Sequence, residues 1–113
     1  MRIAILEDDP EQSALMVSHL VSAGHDCYAF ASGRALTHEA SRESYDLFLL
    51  DWQVPDLSGE EVLRWIRSHV AAPVPVMFVT NRDTETDIVS ALSQGATDWF
   101  AHVVVREIGR AHV

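Results

Sequence analysis

The sequence predicts a doubly wound α/β fold built on a five-stranded parallel sheet. Short apolar runs alternate along the chain with longer amphipathic segments, in the order βαβαβαβαβ. The strand candidates are apolar at consecutive positions, which is typical of strands that helices cover on both faces. Right-handed crossovers between parallel strands place those helices on both sides of the sheet. In such folds, ligands bind outside the carboxyl ends of the strands, near the switch in strand order.

The first half of the chain supplies three strands and two helices. The apolar run Ile3–Leu6 predicts the first strand. A helix follows between Pro10, which suits a first helical turn, and Gly24, which suits the position just past a helix end. The other elements predicted here are a strand over Cys27–Ala31, a weak helix over residues 33–42 and a strongly apolar strand over Leu47–Leu50.

The second half continues the alternation. Ser58 is a good N-cap for a third helix, whose apolar residues at helical spacing are Val62, Leu63, Ile66 and Val70. A fourth strand is predicted over Val74–Val79. A fourth helix, marked by Ile88, Ala91 and Leu92, ends at Gly95, and a fifth strand is predicted over Trp99–Val105.

Composition narrows the class of protein. The 113 residues fit one domain, and 17 acidic against eight basic residues give a formal net charge of −9. That balance argues against direct binding to nucleic acid or to an anionic membrane surface. No apolar run approaches the roughly 18 residues of a membrane span. The single cysteine, Cys27, excludes an intramolecular disulfide and is expected to be a small buried side chain. We therefore expect a soluble cytoplasmic protein.

Acidic and hydroxyl side chains stand where three predicted strands end. Glu7 and Asp8 follow the first strand, Asp51 follows the third, and Thr80 follows the fourth. Crowded carboxylates either raise one another's pKa values or recruit a cation. Oxygen ligands without histidine or cysteine favour Mg²⁺. The alternative is that these acids are helix caps and solvated loop residues, above all Asp9, which stands just before Pro10.

The chain resembles the receiver domain of two-component response regulators from Met1 to about Ala101. Four segments carry the resemblance: residues 3–10 with the acidic cluster, 46–59 with the phosphoacceptor strand and its loop, 76–80 with a strand-end hydroxyl, and 95–99 with the Gly-Ala-Thr-Asp-Trp turn. The resemblance implies a flavodoxin-like (βα)5 sandwich. It also implies a signalling module that is not an enzyme.

The resemblance assigns roles to the strand-end residues. Asp51 corresponds to the aspartate that a sensor histidine kinase phosphorylates. Glu7 and Asp8, together with Asp51 and the backbone carbonyl of Gln53, correspond to the residues that hold Mg²⁺.

Two further residues match the family's conformational switch. Thr80 corresponds to the hydroxyl that bonds the phosphoryl group and moves on activation. Trp99 occupies the position of the switch aromatic, usually tyrosine or phenylalanine, with a plain packing role as the alternative. The surface formed by the fourth helix and fifth strand corresponds to a face through which receivers form homodimers.

The carboxyl-terminal end departs from the family pattern. The family has a Lys-Pro pair where this chain has His102 and Val103, and all eight basic residues are arginine. Residues 106–113 are too short for the family's fifth helix, which is therefore largely missing. Residues 107–113 also resemble the translation of a sequencing adapter. We expect a receiver domain over residues 1–106 and a non-native tail over 107–113, with a genuine divergent end as the alternative.

Three functional classes follow. The first is a receiver domain phosphorylated at Asp51, regulating an output outside this chain, with DNA binding and transcription as the family analogy. The second is a pseudo-receiver that binds partners without phosphorylation, which the missing lysine favours and the intact acidic set disfavours. The third, an aspartyl-phosphate phosphatase, needs a general acid two residues after the nucleophile, where this chain has Gln53.

Overall fold

The sheet at the centre of the fold has five parallel strands in the order β2-β1-β3-β4-β5. The computed structural model describes residues 1–51, 56–70, 74–79 and 98–100. Its elements are β1 (Arg2–Leu6), α1 (Pro10–Ser22), β2 (Asp26–Phe30), α2 (Gly33–Ala40), β3 (Leu47–Leu50), α3 (Gly59–His69), β4 (Val76–Val79) and β5 (Asp98–Phe100). The strand order reverses at β1, which pairs with both β2 and β3. The predicted doubly wound architecture is confirmed.

Alternate residues of each central strand enter two separate cores. In β1, Ile3 and Ile5 pack with α1 on one face of the sheet. Ala4 and Leu6 pack with α2 and α3 on the other face. All four side chains have 0% exposure. This burial on both faces explains why the strand is apolar at every position, since successive side chains of a strand point to opposite faces.

The predicted helix boundaries follow from capping. The Asp9 carboxylate accepts hydrogen bonds from the amides of Glu11 and Gln12 at the start of α1. Ser58 accepts one from the Glu61 amide at the start of α3. Gly24, just past the end of α1, has φ +93°, a conformation that side-chain-bearing residues rarely adopt.

Several predicted elements have different bounds in the structure, and β1 and β5 each begin one residue earlier than predicted. The strand β2 begins one residue earlier than predicted and ends at Phe30. The strand β4 begins at Val76 rather than Val74, because Pro75 has no amide hydrogen to donate. Helix α2 ends at Ala40 rather than at residue 42, where the Arg42 amide already bonds the Glu39 carbonyl in a tighter turn.

The prediction that Cys27 is a small buried side chain is wrong. Its side chain is half-buried and packs beside the core under α1. The reason is that β2 is an edge strand, in which every residue is exposed or only half-buried. Burial still raises the pKa of the Cys27 thiol above its usual value, with the Asp26 charge adding to the effect.

Several predicted elements lie outside the described residues. These are the fourth helix, the part of the fifth strand after Phe100, and the segment that would hold a fifth helix. Within the ranges given above, no helix combines the length and apolar character needed to cross a bilayer.

The turn after α1 offers a test of the backbone argument. A Cβ at Gly24 would meet no atom within 4 Å, so Gly24→Ala adds backbone strain and no steric contact. We predict that this change lowers the free energy of unfolding by about 1 kcal/mol, because an L-residue is disfavoured at positive φ. Urea unfolding measures it, with the exposed helical change Ser18→Ala as control. Equal stability of Gly24→Ala and wild type would contradict the assigned conformation.

Candidate metal and phosphoryl site

The register between β1 and β3 sets the ends of these strands side by side. Leu6 pairs with Leu50 in the parallel ladder. The Asp51 amide then donates to the Leu6 carbonyl at 2.9 Å. Glu7 and Asp51 are therefore the first residues beyond two directly paired strands, at the edge where the sheet switches its strand order.

Three predicted ligands meet at this edge. Glu7, Asp8 and Asp51 each offer a carboxylate oxygen, and these oxygens all lie within 4.8 Å of one another. Glu7 is buried at 4% exposure, Asp51 is half-buried and Asp8 is exposed. The cluster is thus buried at Glu7 and open to solvent at Asp8, so an ion or a small phosphorylated group can reach it.

The electrostatics of the cluster are unfavourable without a cation. Burial, followed by the nearby charge of Asp51, raises the pKa of Glu7 from 4.5 to about 8. A hydrogen bond from the Asp9 amide to Glu7 Oε2, at 3.3 Å, only partly offsets this increase. Glu7 therefore binds a proton readily when no cation is present.

The donor set fits a small divalent cation. Carboxylate oxygens are ligands that Mg²⁺ and Mn²⁺ prefer, and Mg²⁺ typically takes one or two carboxylates while it keeps several waters. A bound cation would also relieve the repulsion that raises the pKa of Glu7. Glu7, Asp8 and Asp51 are the residues of the described chain that could hold it.

Asp9 does not belong to this cluster. Its side chain caps α1 through Oδ1, which accepts from the Glu11 amide at 2.9 Å and from the Gln12 amide at 3.4 Å. The expectation that Asp9 is a helix cap is confirmed.

The other predicted site residues are placed only in part. Gln53, Thr80 and His102 lie outside the described residues. The backbone of Trp99 belongs to β5, where it pairs with Phe78 of β4 in the parallel register. One strand, β4, therefore lies between the strand of Trp99 and β3, the strand that Asp51 directly follows.

Sequence reasoning missed one long-range polar contact, which Asp56 makes with the start of α2. Asp56 lies five positions after Asp51 in the sequence. Its carboxylate accepts hydrogen bonds from the amides of Gly33 and Arg34, each at 2.9 Å. Burial works against ionisation of Asp56, but the Arg34 and Gly33 amides outweigh it and lower the pKa of this carboxyl. No local motif signals such a long-range cap, because its partners lie 22 and 23 residues away.

A cavity of about 500 Å³ lies elsewhere in the molecule. Tyr45, Phe48, His69 and Pro75 are among its lining residues. His69 ends α3, Phe48 lies in β3, and Tyr45 and Pro75 lie in the connections that lead into β3 and β4. The cavity is therefore at the amino edge of the sheet, away from the carboxylate cluster.

The raised pKa of Glu7 predicts a pH dependence of stability in metal-free buffer. Between the unfolded value near 4.5 and the folded value near 8, the folded state binds more protons than the unfolded state. Stability therefore falls as pH rises through this interval. We predict that the Tm in EDTA decreases over this range and that Glu7→Gln, which holds no titrating proton there, flattens the decrease. An identical pH profile for both proteins would contradict the environment assigned to Glu7.

Comparison with known proteins agrees with this geometry. The family model of the response regulator receiver domain matches residues 3–106. The transcriptional activator protein IrlR of Burkholderia pseudomallei is 37% identical over 99 residues, which cover 88% of this chain and 42% of IrlR. The chain thus spans about two fifths of the length of the curated relatives it matches.

Solved structures agree as well. The BeF3-activated N-terminal receiver domain of Klebsiella pneumoniae RstA superposes with a TM-score of 0.87 at 27% identity, covering 99% of this chain and 97% of that domain. The receiver domain of the sensor histidine kinase PA1611 from Pseudomonas aeruginosa has a TM-score of 0.84 at 26% identity, covering 98% and 95% of the two chains. That domain was solved with a magnesium ion coordinated in its active site cleft. By sequence match, sheet topology and the placement of its acidic residues, this chain belongs to the response regulator receiver family.

Proposed function

We propose that this domain receives a phosphoryl group on Asp51 from a sensor histidine kinase, in a reaction that depends on Mg²⁺. The observation that carries the proposal is the meeting of Glu7, Asp8 and Asp51 at the carboxyl edge of the sheet. A receiver with this cluster has an acceptor carboxylate and two further carboxylates to hold the cation.

The burial of each carboxylate supports a distinct role. Asp51 is half-buried, so one of its oxygens can meet a phosphoryl donor from solvent. That oxygen forms a bond to phosphorus while the bond from phosphorus to the kinase histidine breaks, which leaves an acyl phosphate on Asp51. Glu7 is too deeply buried to be the acceptor and, with the exposed Asp8, would hold the cation. When bound, Mg²⁺ neutralises charge on the carboxylates and on the transferred group.

The response to phosphorylation would pass toward β4 and β5. Thr80 directly follows β4 in sequence, and Trp99 lies in β5. We propose that the phosphoryl group engages the Thr80 hydroxyl and biases a two-state equilibrium of the fourth helix and β5, the face through which the domain would dimerise. His102 stands where the family has lysine and would make a weaker contact, since histidine is only partly charged near neutral pH.

The output of the full protein is proposed to be transcriptional. IrlR is a transcriptional activator protein and is more than twice as long as the matched segment. The net charge of −9 supports DNA contacts made by another part of the protein, and we propose that this protein is cytoplasmic. The family match at residues 3–106 supports a domain over 1–106, with 107–113 as a tail that does not belong to it.

A phosphorylation-independent role has one observation in its favour, which is the absence of lysine from the chain. A domain that had lost phosphotransfer would have no need to keep three mutually repelling carboxylates together. Their retention at mutual distances within 4.8 Å favours the phosphoacceptor role.

Intact-mass measurement tests the proposal. After incubation with acetyl phosphate and MgCl₂, we predict a mass increase of one phosphoryl group, which EDTA abolishes. Asp51→Asn should give no adduct, because an amide oxygen is a far weaker nucleophile than a carboxylate. Asp9→Asn is the matched control, since it changes an acid that caps α1 and should leave the adduct in place.

The outcomes separate the two candidate functions. An adduct that needs both Mg²⁺ and Asp51 supports the receiver role without the family lysine. No adduct on a protein that circular dichroism shows to be folded would contradict phosphotransfer and would favour the binding module.

A further inference from the structure

The connection between β1 and α1 consists of three acidic residues. Glu7, Asp8 and Asp9 are the residues between the end of the strand and the start of the helix. Glu7 and Asp8 belong to the carboxylate cluster. The sheet holds the beginning of the connection, because the Glu7 amide donates to the Phe30 carbonyl of β2 at 3.0 Å. The helix holds its other end through Asp9.

The side chain of Asp9 fixes the backbone of Asp9 on α1. Its Oδ1 accepts from the Glu11 amide at 2.9 Å and from the Gln12 amide at 3.4 Å. The first amides of a helix have no partner within the helix, so this one carboxylate satisfies two of them. The Asp9 carbonyl accepts from the Ser13 amide at 2.9 Å. The backbone at Asp9 is extended, with φ −80° and ψ 117°, as is usual at an N-cap.

The backbone amide of Asp9 contacts the buried acid of the cluster. It donates to Glu7 Oε2 at 3.3 Å. Because Glu7 is only 4% exposed, water cannot readily supply a donor in place of this amide. A glutamate side chain has three torsions, so a fixed donor narrows the orientations that its carboxylate can take. The cap of α1 and the orientation of Glu7 therefore meet at one residue, one hydrogen bond apart.

The orientation of Glu7 matters to the whole cluster. A carboxylate oxygen of Glu7 lies within 4.8 Å of one from Asp8 and one from Asp51. A cation can bind all three residues only while these oxygens point to a common position. Hydrogen bonds that orient metal ligands commonly change the affinity for the metal, although the groups that make them do not bind it.

We propose that Asp9 is a positioning residue for the cation site: by capping α1, it holds its own amide against Glu7 Oε2 and so directs the Glu7 carboxylate toward Asp8 and Asp51. The inference rests on the proposed function. Asp9 itself is not a ligand, because its carboxylate is used on the helix. It acts on the site through the hydrogen bond to Glu7.

Magnesium titration of four proteins tests the inference. The probe is MgCl₂ alone, in about 0.15 M salt to screen exposed charges. Calorimetry follows the binding, and thermal melts in EDTA are recorded for each protein. Asp9→Ala removes the cap and leaves Glu7, Asp8 and Asp51 in place. We predict that its dissociation constant for Mg²⁺ rises by about tenfold, the effect expected when support around metal ligands is lost.

Two further variants separate positioning from charge and from simple loss of stability. Asp9→Asn loses the same charge as Asp9→Ala, but asparagine caps a helix as well as aspartate does, so it should keep the affinity of the wild type. Ser32→Ala removes the hydroxyl that accepts from the Ala35 amide at the start of α2. It should lower the Tm in EDTA and leave the affinity for Mg²⁺ unchanged.

Each result supports or overturns the inference. Weaker binding in Asp9→Ala, with Asp9→Asn and Ser32→Ala close to the wild type, supports it. Equal weakening in both Asp9 variants would mean a charge effect. Equal weakening in Asp9→Ala and Ser32→Ala would mean a general loss of stability, and equal affinity in all four proteins would mean a purely structural cap. Any of these three results would overturn the inference and leave the proposed function intact.

Two outcomes need separate treatment. If Asp9→Ala does not fold, Asp9→Gly takes its place, because glycine at an N-cap costs a helix little stability although it lacks the side-chain acceptor. The same loss of affinity is expected for it. A wild-type protein that binds no Mg²⁺ would overturn both the inference and the proposed function.

Discussion

The register between β1 and β3 is the constraint on which the site depends. Because Leu6 pairs with Leu50, the next residue of each strand is an acid, and both acids leave the sheet at the same edge. A register shift of one residue would turn the apolar side chains of β3 to the opposite faces and would separate Glu7 from Asp51. The two cores that hold β1 and β3 from both sides therefore fix the acidic cluster as well as the fold.

The cluster works against the stability of the fold that holds it. Burial and the nearby charge of Asp51 raise the pKa of Glu7 to about 8. In the metal-free domain the ionised form of Glu7 is therefore electrostatically unfavourable. Such sites are where a cation has most effect, since its charge replaces repulsion by attraction. Hydrogen bonds around the edge, from the Asp9 amide to Glu7 and from the α2 amides to Asp56, offset part of this cost and hold the segments in place.

Much of this was predictable from the sequence, and the reasons are local. Consecutive apolar residues identified β1 and β3. The acids that directly follow these two strands indicated the edge of the sheet where ligands would bind. Sequence patterns predicted burial less well at the edge of the sheet. Cys27 is half-buried because β2 is the edge strand of the described sheet, and strand order cannot be read from composition. The hydrogen bonds of Asp56 could not be predicted from the sequence, because only tertiary folding brings Gly33 and Arg34 close to it.

We propose that the three strand-end carboxylates form one cation site. Crystals grown with MnCl₂ test it most directly, because Mn²⁺ accepts the same oxygen ligands as Mg²⁺ and scatters anomalously. We expect an anomalous peak among the carboxylates of Glu7, Asp8 and Asp51. Ordered Mn²⁺ bound at other acidic residues, with these three carboxylates left without a metal, would contradict it.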